Sequence, residues 1–224
     1  MITLERLRLL QIASQALPIG GYSHSHGFEA AIECGLIRNE ASVQQWIMDV
    51  LLFSMSSYEL PNLIKMGDAW SGDDFDALRR LNQEFLASRE TAELRSATVQ
   101  MGFSLRTLLA ALSNMPDALF NALQMIEEPS LPCVWSAAAT AWSIESSDSA
   151  AAYLWSWAEN QVLVAVKSLP LGQSAGQRVL LNIGEQIARL VPQRSSDAER
   201  SNFAPGLAIL SSQHETQYSR LFRS

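Results

Sequence analysis

From Trp155 to Arg178 the chain reads WSWAENQVLVAVKSLPLGQSAGQR, two helical patterns joined by a corner, and no other stretch restricts the fold as much. Trp155, Ala158, Val162, Val166 and Leu169 recur at three- and four-residue steps, forming one apolar stripe on a helix, with Trp157 and Asn160 off it. Such a stripe needs a core to face. Pro170 lacks the N–H that a continuing helix would use and Gly172 allows a left-handed turn, so the chain stops and restarts before Gln173. In the second arm Gly172 and Gly176, small residues four apart, let another backbone come close, while Gln173 and Gln177 share a face one turn apart.

Helical spacing recurs along the chain. Leu4, Leu7, Leu10 and Ile12 mark a short helix ending near Ser14, and Pro18 with Gly20, Gly21 and Gly27 makes residues 17–27 a loop with apolar anchors. Phe28, Ala31 and Ile32 restart a helix that Gly35 ends, and Asn39 caps a buried one carrying Val43, Trp46, Ile47, Val50, Leu51 and Ser54. Further helices are expected after Pro61 to about Trp70, from Asp74 to Leu86, and from about Arg89 to Leu112, with Ser88-Arg89-Glu90-Thr91 read as an N-cap and a charged face. Another opens at Asn114-Met115-Pro116, and the segment from Pro132 to about Trp142 is apolar on all sides, as befits the centre of a bundle. Ser146-Ser147-Asp148 then caps the helix leading to the corner. No segment longer than five residues alternates apolar and polar with β-branched enrichment. The expected fold class is all-α: one helical-bundle domain of about eight to ten helices over residues 1–191. Beyond it, Pro192, Pro205, Gly206 and a polar run from Ser195 to Asn202 predict a loosely ordered C-terminal tail over 192–224.

Composition excludes several functions. With 48% hydrophobic residues in 224, the chain buries roughly 70% or more of its unfolded surface. Its 16 basic and 23 acidic residues give a net charge of −7 with no basic run, an unfavourable field for nucleic acid, so none is expected as a partner. Cys34 and Cys133 are far apart, form no CxxC and have apolar neighbours, which predicts buried free thiols in a reducing, cytoplasmic compartment. No apolar run nears the ~18 residues of a membrane span, and Met1 to Leu10 carries Glu5, Arg6 and Arg8 instead of a signal-peptide core. Neither membrane association nor secretion is expected.

Catalytic and metal patterns are weak. His24 and His26 form an extended HxH, but a structural metal site wants four ligands and the third histidine, His214, lies in the tail; turn packing is favoured over ligation. Ser23 and Ser25 flank those histidines without a G-x-S-x-G elbow, and Gly172 to Arg178 lacks the spacing of a phosphate loop. No catalytic residue, metal ligand or cofactor is assigned, and the six Trp are read as core. The tail is unusual, because Tyr218, Leu221 and Phe222 are spaced by Arg220 and Arg223, the anchor types that interfaces favour. Lacking an apolar stripe, it is expected to add little to the isolated fold and to dock on a partner.

Four blocks, in order over nearly the whole chain, resemble the UreF family of urease accessory proteins. They are Leu10 to Ala13 with Leu17 to Glu29 (LPIGGYSHSHGFE), then Ser88 to Thr91, then Gln161-Val162 with Pro170 to Gln177, and finally His214 to Phe222 (HETQYSRLF). The resemblance implies an all-helical, dimer-forming scaffold with no reaction of its own. It would bind the accessory protein UreD, also called UreH, and the GTPase UreG, and help deliver nickel and the CO2-modified lysine to apo-urease. Phe28 stands where the family motif usually has Leu, an apolar swap that alters packing only, and the family's histidines vary, so nickel ligation does not carry over. On this reading Glu29, Lys167, Gln173, Gln177, Arg178, Tyr218, Arg220 and Phe222 are the candidate partner-binding residues. A regulator of the UreG GTPase, projecting Arg178 or Arg220 in trans, is the alternative. Homodimerisation is also expected from the residues, whose helix stripes give more apolar surface than one bundle readily covers.

Overall fold

Among the residues that the computed structural model describes, 2–193 and 200–224, every regular element is a helix. In chain order they are α1 (Leu4–Ala13), α2 (Phe28–Glu33), α3 (Glu40–Val50), α4 (Leu60–Ser71), α5 (Phe75–Ala87), α6 (Ala92–Leu112), α7 (Asp117–Gln124), α8 (Leu131–Ala141), α9 (Ser146–Ser168), α10 (Gln173–Leu190) and α11 (Pro205–Glu215). Short 3-10 turns cover Gly21–Ser23 and Val191–Gln193, and a π-helical stretch, Leu51–Glu59, links α3 to α4.

The helix apolar on all sides is the central one. In α8 every residue from Pro132 to Ala139 is buried, with α4, α6, α7 and α9 packed around it. Small side chains let those neighbours approach closely, and three large ones fill the space between: Trp70, Trp135 and Trp142 are fully buried. Each indole N–H finds an acceptor, at Cys133 O (3.0 Å), Ser149 Oγ (3.1 Å) and Asn114 Oδ1 (3.2 Å), so none is stranded. At Gly102 of α6 an added Cβ would lie 2.1 Å from Pro129 O, so α6 meets the turn before α8 backbone against backbone. Asn39 caps α3 as the sequence predicts, with a capping box completed by Ser42.

Several boundaries differ from the sequence reading, each for a local reason. Pro61 does not end a helix, because the chain runs on through the π turns, where Leu60 N donates to Met55 O five residues back. Pro61 has no N–H for Ser57 O, and that carbonyl instead accepts from Ser201 N at 3.0 Å. Helix α6 starts at Ala92 with Thr91 as its cap, and Ser88 closes α5. Leu4, Leu7 and Leu10 face solvent; α1 lies against α9 through the fully buried Ile12. Cys133 is buried, its thiol pushed up to about 12 by burial, but Cys34 is exposed at the end of α2.

The C-terminal segment also departs from expectation. Residues 195–199 of the polar run lie outside the described residues, but 200–224 are folded onto the body. Arg200 bonds Asn62 Oδ1 at 2.7 Å, Asn202 bonds Ser88 O at 3.1 Å, and α11 packs on α2 and α6 through Leu210, Ser211 and His214. The all-helical architecture stands; the part of the tail from Pro205 onward belongs to it. The period was hidden because the inward side of α11 mixes Leu207 and Leu210 with the polar Ser211 and His214.

Candidate functional site

The loop from Gly20 to Phe28 is where distant parts of the chain converge. Gly20 and Gly27 take left-handed φ values of 78° and 77°, which lets the loop double back before α2. At Gly27 a Cβ would sit 3.3 Å from Leu207 Cδ1, so α11 can press onto the turn. From the other side α9 holds the loop by its backbone: Asn160 Nδ2 donates to His24 O at 2.9 Å and Gln161 Nε2 to Ser25 O at 3.3 Å. Off the apolar stripe, these two amides are buried precisely where a loop needs fixed partners.

Onto this loop the end of the described chain is clasped. Ser25 N and His26 N both donate to Ser224 O, the latter at 3.0 Å, and Arg223 N donates to Ser23 O at 2.8 Å. Glu29, on the first turn of α2 and 7% exposed, accepts from Leu221 N at 2.7 Å and Phe222 N at 3.0 Å. His214 is fully buried between two carboxylates, its Nε2 3.1 Å from Glu29 and its Nδ1 2.7 Å from Glu93. Each ring nitrogen of His214 thus faces one carboxylate oxygen, which fixes the ring between α2 and α6. Arg220 Nη1 donates to the second oxygen of Glu93 at 2.7 Å, setting a guanidinium against that carboxylate. Such compensation is what a buried charge requires.

His24 and His26 stack in the loop with ring centroids 6.2 Å apart. Burial pushes His24 down to about 3, with His26 and Arg223 adding to it, and pushes His26 down to about 4, with Arg89 adding. His24 Nδ1 is 2.7 Å from Ser224 Oγ. Among the described residues no three His, Cys, Asp or Glu side chains are grouped to hold a metal ion.

The eight candidate residues separate into two sets. Glu29 and Phe222 are not surface groups: both are buried, one holding the C-terminal backbone and the other filling the core beside it. Lys167, Gln173, Gln177, Arg178, Tyr218 and Arg220 are exposed. Arg178 forms a two-point pair with Glu40, at 2.8 and 2.6 Å, which holds the Glu40 carboxyl below its ordinary range. Lys167 Nζ stands 5.9 Å from the Tyr22 ring centroid, and Gly172 shapes the corner in extended geometry (φ −69°, ψ 153°) instead of a left-handed turn. Close packing at Gly176 is as expected, because a Cβ there would meet Val162 Cγ1 at 3.0 Å and Val166 Cγ2 at 3.1 Å.

In the block from Ser88 to Thr91, Thr91 is buried and the Arg89 side chain turns inward, while Glu90 stays exposed. The Arg89 side chain is 6% exposed, paired with Glu59 at 2.7 Å and lying 4.3 Å from the Phe85 ring centroid, while Tyr153 donates to the other Glu59 oxygen at 2.7 Å. Burial, and then the Glu59 charge, push the Tyr153 phenol well above its ordinary range. Nothing in the local spacing separates this buried pair from a solvated charged face.

Comparison with known proteins bears on the whole arrangement. The UreF family model matches residues 37–184. The chain is 52% identical over 223 residues to the urease accessory protein UreF of Azoarcus sp., covering 97% of this chain and 95% of the relative. It is 49% identical over 230 residues to the protein of that name from Dechloromonas aromatica, covering 99% and 98%. Over 220 residues it is 44% identical to the one from Methylobacillus flagellatus, with 97% of each covered.

Proposed function

Since the chain belongs to the UreF family of urease accessory proteins, we propose that it works as a non-catalytic scaffold in maturation of the urease nickel centre. In this reading it is a cytoplasmic homodimer that bridges UreD/UreH and the GTPase UreG and presents the assembly to apo-urease, with nickel as cargo. The observation that carries the reading is the outward side of the clasped segment. Tyr218 is fully exposed and Leu221 is 73% exposed, on a segment whose Leu221 and Phe222 amides Glu29 holds. Apolar groups held rigid in water suit an interface, because little freedom remains to be lost on binding. Leu181, 71% exposed on α10, offers apolar surface for a second copy. Lys167, Gln173, Gln177 and Arg178 at the corner supply a polar contact region, and Glu29 and Phe222 support the presenting segment from inside.

Regulation of UreG in trans would need a free arginine. Arg178 and Arg220 are each engaged, by Glu40 and Glu93, so the scaffold reading is preferred. The test is capture of purified UreD and UreG by the immobilised chain, alongside GTP turnover. Retained capture by Tyr218→Ala/Leu221→Ala, or strong GTPase stimulation lost with Arg220→Ala, would overturn the assignment.

A further inference from the structure

Residues 200–202, just ahead of α11, cross from the helical run between Glu40 and Ser71 to the turn between α5 and α6, and each of the three is tied down. Arg200 Nη1 donates to Asn62 Oδ1 at 2.7 Å and, together with Nη2, to Glu84 Oε2 at 3.3 Å. Ser201 pairs with Ser57 in both directions: its N–H donates to Ser57 O at 3.0 Å, and its carbonyl accepts from Ser57 Oγ at 2.9 Å. Asn202 Oδ1 accepts from Ser54 Oγ at 3.0 Å, while its Nδ2 donates to Ser88 O at 3.1 Å and to Glu90 Oε1 at 2.7 Å. Arg200 and Asn202 therefore bridge the same two parts of the fold, with Ser201 fixed between them.

Those two parts also meet directly, around Tyr58 and Glu59. The Tyr58 ring stacks on Phe85 with centroids 6.1 Å apart, and Glu59 takes the Arg89 guanidinium at 2.7 Å. At Ser54 the connection passes through the strap instead. Among the described residues, the only side-chain hydrogen bond of Ser54, and of Glu90, is the one to Asn202. Both residues line the cavity of about 90 Å³ beside the Gly20–Phe28 loop, together with Met55 of the π-helical stretch and Leu94 of α6. The Asn202 amide is fully used, its oxygen accepting once and its nitrogen donating twice, so its orientation is fixed. A π stretch of nine residues is long for a geometry seen mostly as single turns, and here it takes support from outside the helix.

We propose that residues 200–202 are a latch on the wall of this cavity. With Asn202 seated, the π-helical stretch and the α5–α6 turn are held together; with it freed, the two part about the Glu59–Arg89 pair and the wall between them opens to solvent. Only Phe203 and Ala204 separate Asn202 from α11, so the latch also joins the clasped segment to this wall. The device goes beyond the scaffold reading and does not depend on it.

Hydrogen exchange, followed amide by amide by NMR on the full purified chain, tests the latch. The two reporters are Leu60, whose N–H bonds Met55 O, and Leu94, whose N–H bonds Thr91 Oγ1 at 3.1 Å. Asn202→Ala should speed exchange about ten-fold at both, beyond any change at the buried Val179 and Ile183 of α10. Ser54→Ala should speed Leu94 about three-fold, although Ser54 bonds nothing in α6, and should add nothing there once Asn202 is replaced. If Asn202→Ala fails to fold, the response of Leu94 to Ser54→Ala decides the matter alone. Equal acceleration in α10, acceleration confined to residues 200–204, an unchanged Leu94 in Ser54→Ala, or full additivity in the double variant would overturn the proposal.

Discussion

Replacing Glu29 by Gln tests whether the last described residues are structural. The carboxylate accepts from Leu221 N at 2.7 Å, from Phe222 N at 3.0 Å and faces His214 Nε2 at 3.1 Å, all from a site 7% exposed. Glutamine keeps the shape but turns one acceptor oxygen into an NH2 donor. That sets donor against donor at one of three contacts and removes the carboxylate that faces His214 Nε2. A hydrogen bond to a charged group contributes about 1.5–3 kcal/mol, and removing one partner of a buried pair costs about 3–5 kcal/mol. His214 keeps Glu93 as a partner, so the lower end applies, about 3 kcal/mol. At about 2–4 °C per kcal/mol for a chain of this size, melting should fall by about 6–12 °C. Thermal and urea unfolding followed by circular dichroism measure it, with Tyr218→Ala, at a fully exposed position, as a control that should not move. A Glu29→Gln protein melting within about 2 °C of the parent would refute the clasp.

Three further outcomes are expected. Gly102→Ala forces a Cβ to 2.1 Å from Pro129 O, a backbone atom that cannot swing aside, and should cost about 3 kcal/mol or more; an unchanged urea midpoint would show that α6 and α8 sit further apart. Arg178→Ala removes an exposed pair with Glu40 and should alter stability by no more than about 1 kcal/mol, while weakening capture of UreD or UreG if the corner is a contact region. His24 and His26 have folded values of about 3 and about 4, below the ordinary 6.5, so unfolding takes up protons between those limits. Their contribution is complete above about pH 6.5 and is lost as pH falls through about 4 toward 3; urea midpoints should drop on acidification, less steeply in His26→Gln, and equal slopes would contradict the neutral assignment.

Helix positions were legible because their cause is local. Asn39 and Ser42, Asp74, and the all-round apolar run of α8 announce caps and burial within a turn or two of sequence. The polar interior was not, because its partners are far apart in the chain. Glu29 meets Leu221 and Phe222, Glu93 meets His214, and Glu59 meets both Arg89 and Tyr153, and no periodicity marks such pairs. Where Leu207 and Leu210 share the inward side of α11 with Ser211 and His214, the apolar period is broken and the segment reads as loose when taken alone. Leu4, Leu7 and Leu10 show the opposite case: a helical stripe that is legible in the sequence yet faces solvent among the described residues.

The π-helical stretch changes how the long run from Glu40 to Ser71 must be read. Through α3 the buried positions advance in the usual steps, Val43, Ile47, Leu51 and Met55, and then the next fully buried apolar residue is Leu60, five positions on. The seam has slipped in phase by one residue. A helical wheel drawn across the whole run would therefore turn Leu60, Leu63 and Met66 roughly 100° away from the face that they actually bury. Deleting one residue between Ser56 and Glu59, which would ruin an ordinary helix seam, here restores the common spacing of the two halves.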